Sequence, residues 1–261
     1  MNYLMTLMII LAVPLTLRAQ DYKIPVENVK DGKVTFQDFM GDLPIEGYSG
    51  TDIVISPTSG DFKPGPEELE RSKGLKPVYS MGTDNTGIGL HVEKTGNQVT
   101  IQCLIPFTRH AEYSVKVPDN FSIKAESGCE RQNDISVKDM KNEIDIKTCA
   151  SIDLKGVTGP LVLSTISGDI TVNFAALNKD NPFSISDISG DIDVAIPSAA
   201  AVNLKMKTVT GNMYTDFDLP VSKDNDMKRV GGATVEFPLN GGGVEFNLIS
   251  VSGNIYLRKA K

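Results

Sequence analysis

The sequence contains no tryptophan and only two histidines, His91 and His110, among its 261 residues. Histidine is the commonest metal ligand and a frequent general base, but both histidines lie outside the repeats described below. Their wide separation and the absence of paired cysteine spacing argue against a zinc site. The chain also has no tryptophan that could hold a sugar ring.

Positive charge is scarce as well. The chain has 26 Lys and Arg against 33 Asp and Glu, which gives a formal net charge of −7. Nucleic acids and anionic lipids both favour clustered cations on their partners. The charge balance therefore argues against both as partners.

Only one apolar run approaches the length of a membrane span, and it opens the chain as MNYLMTLMIILAVPLTLRA. It carries no charged side chain before Arg18, is interrupted by Pro14 and ends in Ala19, a small residue typical of signal-peptidase cleavage. We predict a signal peptide over residues 1–19, with an uncleaved anchor as the alternative. Cleavage removes Arg18 and no acid, which leaves 25 basic and 33 acidic residues and a net charge of −8. We therefore expect an exported protein in the periplasm, on the cell surface or outside the cell, with no integral span after cleavage.

The strongest pattern is a short repeat built around a glycine. Five segments align on it, GVTGPLVL, TISGDITV, DISGDIDV, TVTGNMYT and SVSGNIYL, with their glycines at Gly159, Gly168, Gly190, Gly211 and Gly253. The gaps are 9, 22, 21 and 42 residues, so a degenerate copy is expected near KRVGGATVEF, residues 228–237. A period near 21 residues with short strands is typical of a stacked β-repeat.

Apolar and polar residues alternate within each copy. Ile170, Val172 and Phe174 interleave with Thr171 and Asn173, as expected for a strand with one buried face. Helix content should be low. The segment Pro64–Leu75 predicts one short helix, and Thr86–Phe107 predicts a hairpin that turns at Thr-Gly-Asn.

The order of the segments resembles one known family. VTFQDFMGDLPIEGYSGTDIVI, a Pro-rich insertion ending in GLKPV, the hairpin GIGLHVEKTGNQVTI and then the SGDI repeats are together similar to the putative adhesin family of secreted bacterial β-strand-repeat proteins, a domain of unknown function. The similarity runs from about Val34 to Lys261. It implies an all-β fold, a β-solenoid like a single-stranded right-handed β-helix, at the cell envelope and without enzyme activity.

We therefore expect a single domain over residues 20–261. Strands and an N-terminal β cap should occupy 34–107, and repeat coils should occupy 113–261. The terminal YLRKAK is expected to protect an exposed strand edge, because its cations discourage pairing between edges.

The residue after each glycine is the first candidate for chemistry. These residues are Pro160, Asp169, Asp191, Asn212 and Asn254. All three residue types favour turns, whereas only aspartate could act as an acid or nucleophile. The preceding glycine suits a backbone with positive φ. We therefore interpret these Gly-Asp and Gly-Asn steps as structural turns.

A carbohydrate-active β-helix enzyme, either a hydrolase or a lyase, is the main alternative. Asp169, Asp191 and Asp193 could project from adjacent coils about 4.8 Å apart, close to the separation in a retaining glycosidase. No acid–base partner accompanies them, so we predict no enzyme activity and no catalytic residue. Asp193 has no counterpart in the other copies, which makes it the first residue to inspect for a site.

Cysteine and glycine offer two further candidates. Cys129 and Cys149 are 20 residues apart, about one coil, so they could form a disulfide; two small buried residues are the alternative. Cys103 makes the cysteine count odd. A calcium site at NGGGVEF, with Glu245, is less consistent with the sequence than a simple glycine turn. We predict no cofactor and no metal.

The function predicted from these patterns is a non-enzymatic secreted or envelope β-solenoid that acts as an adhesin or interaction scaffold. Its partner would be an unidentified protein or glycan of the cell envelope. A structural or signalling component of an envelope complex is a further alternative.

Overall fold

The structure is a computed structural model that describes residues 21–39, 41–60, 65–75, 78–106, 109, 111–130, 133–219 and 232–260. The predicted signal peptide, His110 and the first four residues of KRVGGATVEF lie outside these ranges.

The regular secondary structure of the described chain is almost entirely β-strand. Its twenty strands are β1 (Tyr22–Pro25), β2 (Lys33–Gln37), β3 (Leu43–Tyr48), β4 (Asp52–Gly60), β5 (Leu90–Thr95), β6 (Gln98–Cys103), β7 (Ala111–Pro118), β8 (Ser122–Glu126), β9 (Ile135–Lys138), β10 (Ile144–Lys147), β11 (Ile152–Val157), β12 (Leu161–Thr165), β13 (Ile170–Phe174), β14 (Phe183–Asp187), β15 (Ile192–Ile196), β16 (Val202–Thr208), β17 (Met213–Thr215), β18 (Ala233–Leu239), β19 (Val244–Ser250) and β20 (Ile255–Lys259). The helix α1 (Pro66–Arg71) begins at a proline, which needs no N–H partner there, and it confirms the predicted short helix. β5 and β6 pair antiparallel and confirm the predicted hairpin.

The strands form two open ten-stranded sheets. Sheet A has the order β1-β4-β7-β3-β9-β11-β13-β15-β20-β17, and sheet B has the order β18-β16-β19-β14-β12-β10-β8-β2-β6-β5. A sheet-B strand is followed along the chain by a sheet-A strand, and each such pair is called a coil below. Successive coils pair in parallel, for example β13 with β15 and β14 with β19. The result is a solenoid-like repeat with a core between the sheets.

The order of coils in space differs from their order along the chain. The last coil, β19–β20, lies between coil β14–β15 and coil β16–β17. Strands β19 and β20 therefore lie between two coils that are consecutive along the chain, so the 42-residue gap does not contain a missing copy. The expected degenerate copy at residues 228–237 is therefore wrong: β18 pairs antiparallel with β16 at the end of sheet B.

At the other end of the stack, the order of coils in space also differs from their order along the chain. Coil β2–β3 lies between coil β6–β7 and coil β8–β9. Beyond these coils, β5 pairs antiparallel with β6, and β4 followed by β1 extends sheet A in the same antiparallel sense. β20 is an internal strand, paired with β15 and β17, so the prediction that the C-terminal strand is an exposed edge is wrong.

Alternation within each strand creates the core. In sheet A, one inward position is isoleucine in five consecutive coils: Ile135, Ile152, Ile170, Ile192 and Ile255. Each is at most 1% exposed. β-branched residues suit strands because they pack well on a pleated surface. The stacked apolar columns fix which face of each strand points inward.

Candidate binding surface

The chain passes from sheet B to sheet A through the predicted glycine steps. In stack order these glycines are Gly168, Gly190, Gly253 and Gly211. A Cβ atom on Gly253 would overlap the carbonyl oxygen of Gly190, and one on Gly211 would overlap the carbonyl oxygen of Gly253. None of the four has a positive φ, so the predicted reason for glycine is wrong. The close approach of the neighbouring coil excludes a side chain.

Gly159 lies at the opposite corner, where the chain enters sheet B at β12. A Cβ there would meet the carbonyl group of Asn142. The nine-residue gap from Gly159 to Gly168 is therefore about half a coil, and Pro160 is not equivalent to the residues that follow the other four glycines.

The residues after those four glycines form a hydrogen-bonded ladder. Asp169 Oδ1 accepts the backbone N–H of Asp191 at 2.9 Å, and Asp191 Oδ1 accepts that of Asn254 at 2.7 Å. Asn254 Oδ1 in turn accepts the N–H of Asn212 at 3.0 Å. An oxygen acceptor is needed at each step, which both Asp and Asn provide. The ladder explains why the two residue types replace each other.

Sequence comparison missed another member of this ladder. Asp134 Oδ1 accepts the N–H of Ser151 at 2.9 Å, immediately before β9 and β11. No glycine precedes Asp134, so the glycine-based alignment could not identify it. The signal available was its place directly before an Ile-x-Val strand.

Cys129 and Cys149 are joined by a disulfide with a Cα–Cα distance of 5.0 Å. Cys103 is buried and lies outside this bond. The bridge links the segment after β8 to the segment after β10, two strands that pair directly.

Thiol counting checks the oxidation of this pair in the protein. Denatured, unreduced protein is expected to give one thiol per chain, that of Cys103, and three after reduction. Cys129→Ser should expose the thiol of Cys149 and raise the unreduced count to two. Three thiols in the unreduced wild type would contradict the disulfide.

A second, buried ladder lies just inside the same corner. Ser250 Oγ accepts the N–H of Gly253 at 2.8 Å, and Thr208 Oγ1 accepts that of Gly211 at 3.0 Å. In the coil of β14 and β15 this acceptor is the carboxyl of Asp187, which bonds the N–H of Gly190. Asp187 is 2% exposed, and its Oδ1 has no hydrogen-bond partner among the described residues. Burial raises the pKa of the Asp187 carboxyl, although N–H groups of the following turn oppose that increase.

The outer face of sheet A carries a different group, called the aromatic cluster: Tyr214, Tyr256, Arg258 and Asp193. The rings of Tyr214 and Tyr256 are stacked, with centroids 5.2 Å apart and planes 10° from parallel. The Arg258 guanidinium lies 5.3 Å from the centroid of Tyr256. Its Nε and Nη2 donate to the Asp193 carboxylate at 2.8–3.0 Å.

Strand pairing brings the cluster together from distant parts of the chain. Tyr214 of β17 is opposite Tyr256 of β20, and Asp193 of β15 is opposite Tyr256 on the other side. The two tyrosines are 42 residues apart, and sequence reasoning did not select either. The signal was the shared Gly-Asn-x-Tyr in TVTGNMYT and SVSGNIYL.

A shallow surface cavity of about 250 Å³ adjoins this cluster, lined by Tyr214, Thr215, Asp216, Tyr256, Leu257 and Arg258. Asp216 Oδ1 accepts the backbone N–H of Lys259 at 2.9 Å, which fixes the segment after β17 against β20. Lys259 Nζ lies 5.4 Å from the ring centroid of Phe217. The cavity therefore combines an aromatic wall with charged groups of both signs.

Residues 90–258 match the family described as Toastrack DUF4097. The chain belongs to the Toastrack DUF4097 family. The family match confirms the predicted resemblance to an adhesin-type family of unknown function.

Two solved structures resemble this Toastrack chain. One is "a putative cell adhesion protein from Clostridium sporogenes ATCC 15579", with 11% identity and a TM-score of 0.42 over 92% of this chain and 99% of the other. The second is a putative adhesin from Bacteroides fragilis NCTC 9343, with 10% identity and a TM-score of 0.31 over 92% and 96%. No curated protein matches the chain significantly.

Glu245 of the Toastrack chain, the residue considered for a calcium site, is hydrogen-bonded within the protein. Glu245 Oε1 accepts Asn203 Nδ2 at 3.1 Å beside the turn at Asn240, Gly241 and Gly242, all three of which have positive φ. Across the described ranges, no three His, Cys, Asp or Glu residues are grouped so that they could hold a metal ion. The helical residues within those ranges include no segment with the length and hydropathy needed to cross a membrane.

Proposed function

We propose that this Toastrack protein is an exported, non-enzymatic, adhesin-like binding protein that contacts a cell-envelope component through the aromatic cluster. The cluster is the observation that carries the proposal. Tyr214 is 51% exposed, and the side chains of Arg258 and Asp193 are 55% and 37% exposed. Exposed tyrosine and arginine are the residue types that most often anchor binding surfaces.

The engagement of the candidate carboxylates supports binding over catalysis. Asp169 and Asp191 each accept a backbone N–H from the next coil, and Asp193 forms an ion pair with Arg258. A glycosidase needs two carboxylates that face one scissile bond. These three side chains instead hold neighbouring coils together or belong to the aromatic cluster.

The proposal also includes the architecture that presents the cluster. The stack would wind as a right-handed β-helix after removal of residues 1–19, with the antiparallel strands β1, β4 and β5 as its N-terminal cap. Such strands cover coils that would otherwise expose unpaired backbone groups. The cluster lies at the far end of sheet A, away from this cap.

Binding to isolated bacterial envelopes tests the proposed function. Labelled protein without residues 1–19 is expected to bind saturably, and Tyr214→Ala is expected to lower the affinity at least tenfold. Val162→Ala is the matched control, because Val162 is 39% exposed on a sheet-B strand. Absence of saturable wild-type binding, or equal binding by Tyr214→Ala, would contradict the proposal.

A further inference from the structure

The aromatic cluster has one ring face available to a ligand. Tyr256 covers one face of the Tyr214 ring, and β17 is the last strand of sheet A in the described chain. The second face of Tyr214 therefore lies at the end of the sheet. The negative face of an aromatic ring attracts the positively polarised C–H groups of a flat, partly apolar ligand. Stacking on Tyr256 also orients the ring before binding, which lowers the entropic cost of association.

Polar groups for hydroxyl recognition stand beside that ring. The ion pair with Asp193 uses Nε and Nη2 of Arg258, so Nη1 takes no part in it. An arginine has five N–H donors and a carboxylate about four acceptor positions. Adjacent hydroxyl groups of a sugar donate and accept, so they can bond both members of the pair.

The local charge balance indicates a neutral ligand. Among the lining residues, Asp216 and Arg258 carry one charge of each sign, and Asp193 is paired with Arg258 beside the cavity. The chain as a whole has a net charge of −7, which disfavours an anionic polymer. A strongly cationic ligand would have to displace Arg258 from Asp193.

The size of the cavity separates a sugar from a protein partner. About 250 Å³ is room for roughly one hexose ring, below the range of about 300–1,000 Å³ typical of drug-sized ligands. A stable protein interface usually buries more than about 1,000 Å². Six residues line the cavity, whereas each side of a standard protein interface contributes about 20–30 residues.

From these observations we infer that the aromatic cluster is a subsite for a neutral saccharide, with one hexose ring stacked on Tyr214 and its hydroxyl groups bonded to Arg258 and Asp193. This inference rests on the proposed envelope-binding function and names its ligand class. A single ring with few contacts should bind with a dissociation constant on the order of 1 mM.

Selective destruction of envelope components tests the ligand class. Envelopes are treated either with protease or with periodate, which cleaves vicinal diols of sugars, and binding of the labelled protein is measured again. A saccharide ligand requires that binding survives protease and falls at least tenfold after periodate. Binding lost to protease and retained after periodate would overturn the saccharide inference while leaving the envelope-binding proposal intact. Absent binding to untreated envelopes would overturn both.

A defined probe provides the second arm. Neutral hexasaccharides of α-1,4-glucose, β-1,4-glucose and α-1,6-mannose, all of which carry vicinal diols, are titrated at millimolar concentration, with ligand-observed NMR as the readout. We expect saturable binding of at least one, a loss of at least tenfold with Tyr214→Ala or Arg258→Gln, and no change with Val162→Ala. Circular dichroism checks that the variants remain folded. Equal affinities for wild type and Tyr214→Ala, or no binding of any probe, would count against the subsite.

Discussion

Gly253→Ala is expected to lower the free energy of unfolding by about 3 kcal/mol or more. Overpacking usually costs about 1–3 kcal/mol, and a clash with rigid backbone lies at the upper end of that range. The added Cβ would overlap the carbonyl oxygen of Gly190 in the neighbouring coil, β14–β15. Neither group can move independently, because Asn254 is hydrogen-bonded to Asp191 immediately beside this contact. Relief would require separating two coils that pair over five residues. Urea denaturation followed by circular dichroism measures the loss.

Gly65→Ala is the matched control for this substitution. Gly65 precedes α1, its φ is −58°, and no atom lies within 4 Å of an added Cβ. We expect a change within about 1 kcal/mol, as for most surface substitutions. If Gly253→Ala were no more destabilising than Gly65→Ala, the close approach of coils would not be the reason for glycine at this corner.

The sequence predicted the repeat well because stacking favours the same residue types at equivalent positions of every coil. The alternation Ile170, Val172, Phe174 correctly predicted strands with one buried face, and the 21-residue period correctly predicted a solenoid-like all-β fold. The order of the coils was not predictable in this way. Any coil of suitable register can pair with any other, so the pattern of coil β19–β20 contains no mark of its place beside β14–β15.

The difference between the spatial order and the chain order of the coils also explains why the sequence did not predict the aromatic cluster. Asp193 was singled out as an acid without counterparts, but its partner Arg258 is 65 residues away. Counting coils along the chain would have placed Asp193 next to the coil of Tyr214. In space the coil of Tyr256 and Arg258 lies between them. The composition argument from absent tryptophan also missed that two tyrosines can form an aromatic wall.

The buried ladder of Thr165, Asp187, Ser250 and Thr208 contains one residue that differs in charge. These four positions are in register, and three of them place a hydroxyl where the fourth places a carboxyl. A buried group left without a hydrogen-bond partner costs about 1–3 kcal/mol. Asp187 Oδ1 is such a group within the described residues.

The raised pKa of Asp187 gives this cost a definite dependence on pH. Desolvation is the main cause of the increase, and the charge of Asp169 adds to it. Between the ordinary aspartate pKa of the unfolded chain and the raised pKa of the folded one, the native state binds more protons than the unfolded state. The free energy of unfolding therefore falls as pH rises through this window. The penalty is complete above the raised pKa and is relieved below the ordinary value.

Asp187→Thr is therefore expected to raise the free energy of unfolding at neutral pH by about 1–3 kcal/mol. Threonine already occupies the equivalent positions 165 and 208, where it is at most 1% exposed and accepts the glycine N–H. The gain should shrink at acidic pH, because protonation relieves the wild-type carboxyl. Asp187→Asn removes the charge and keeps the shape. Its free energy of unfolding should be smaller than that of Asp187→Thr, by an amount that does not change with pH. Urea denaturation at several pH values measures all three proteins, and a lower stability of Asp187→Thr at neutral pH would show that the carboxylate stabilises the corner through its bonds to the turn.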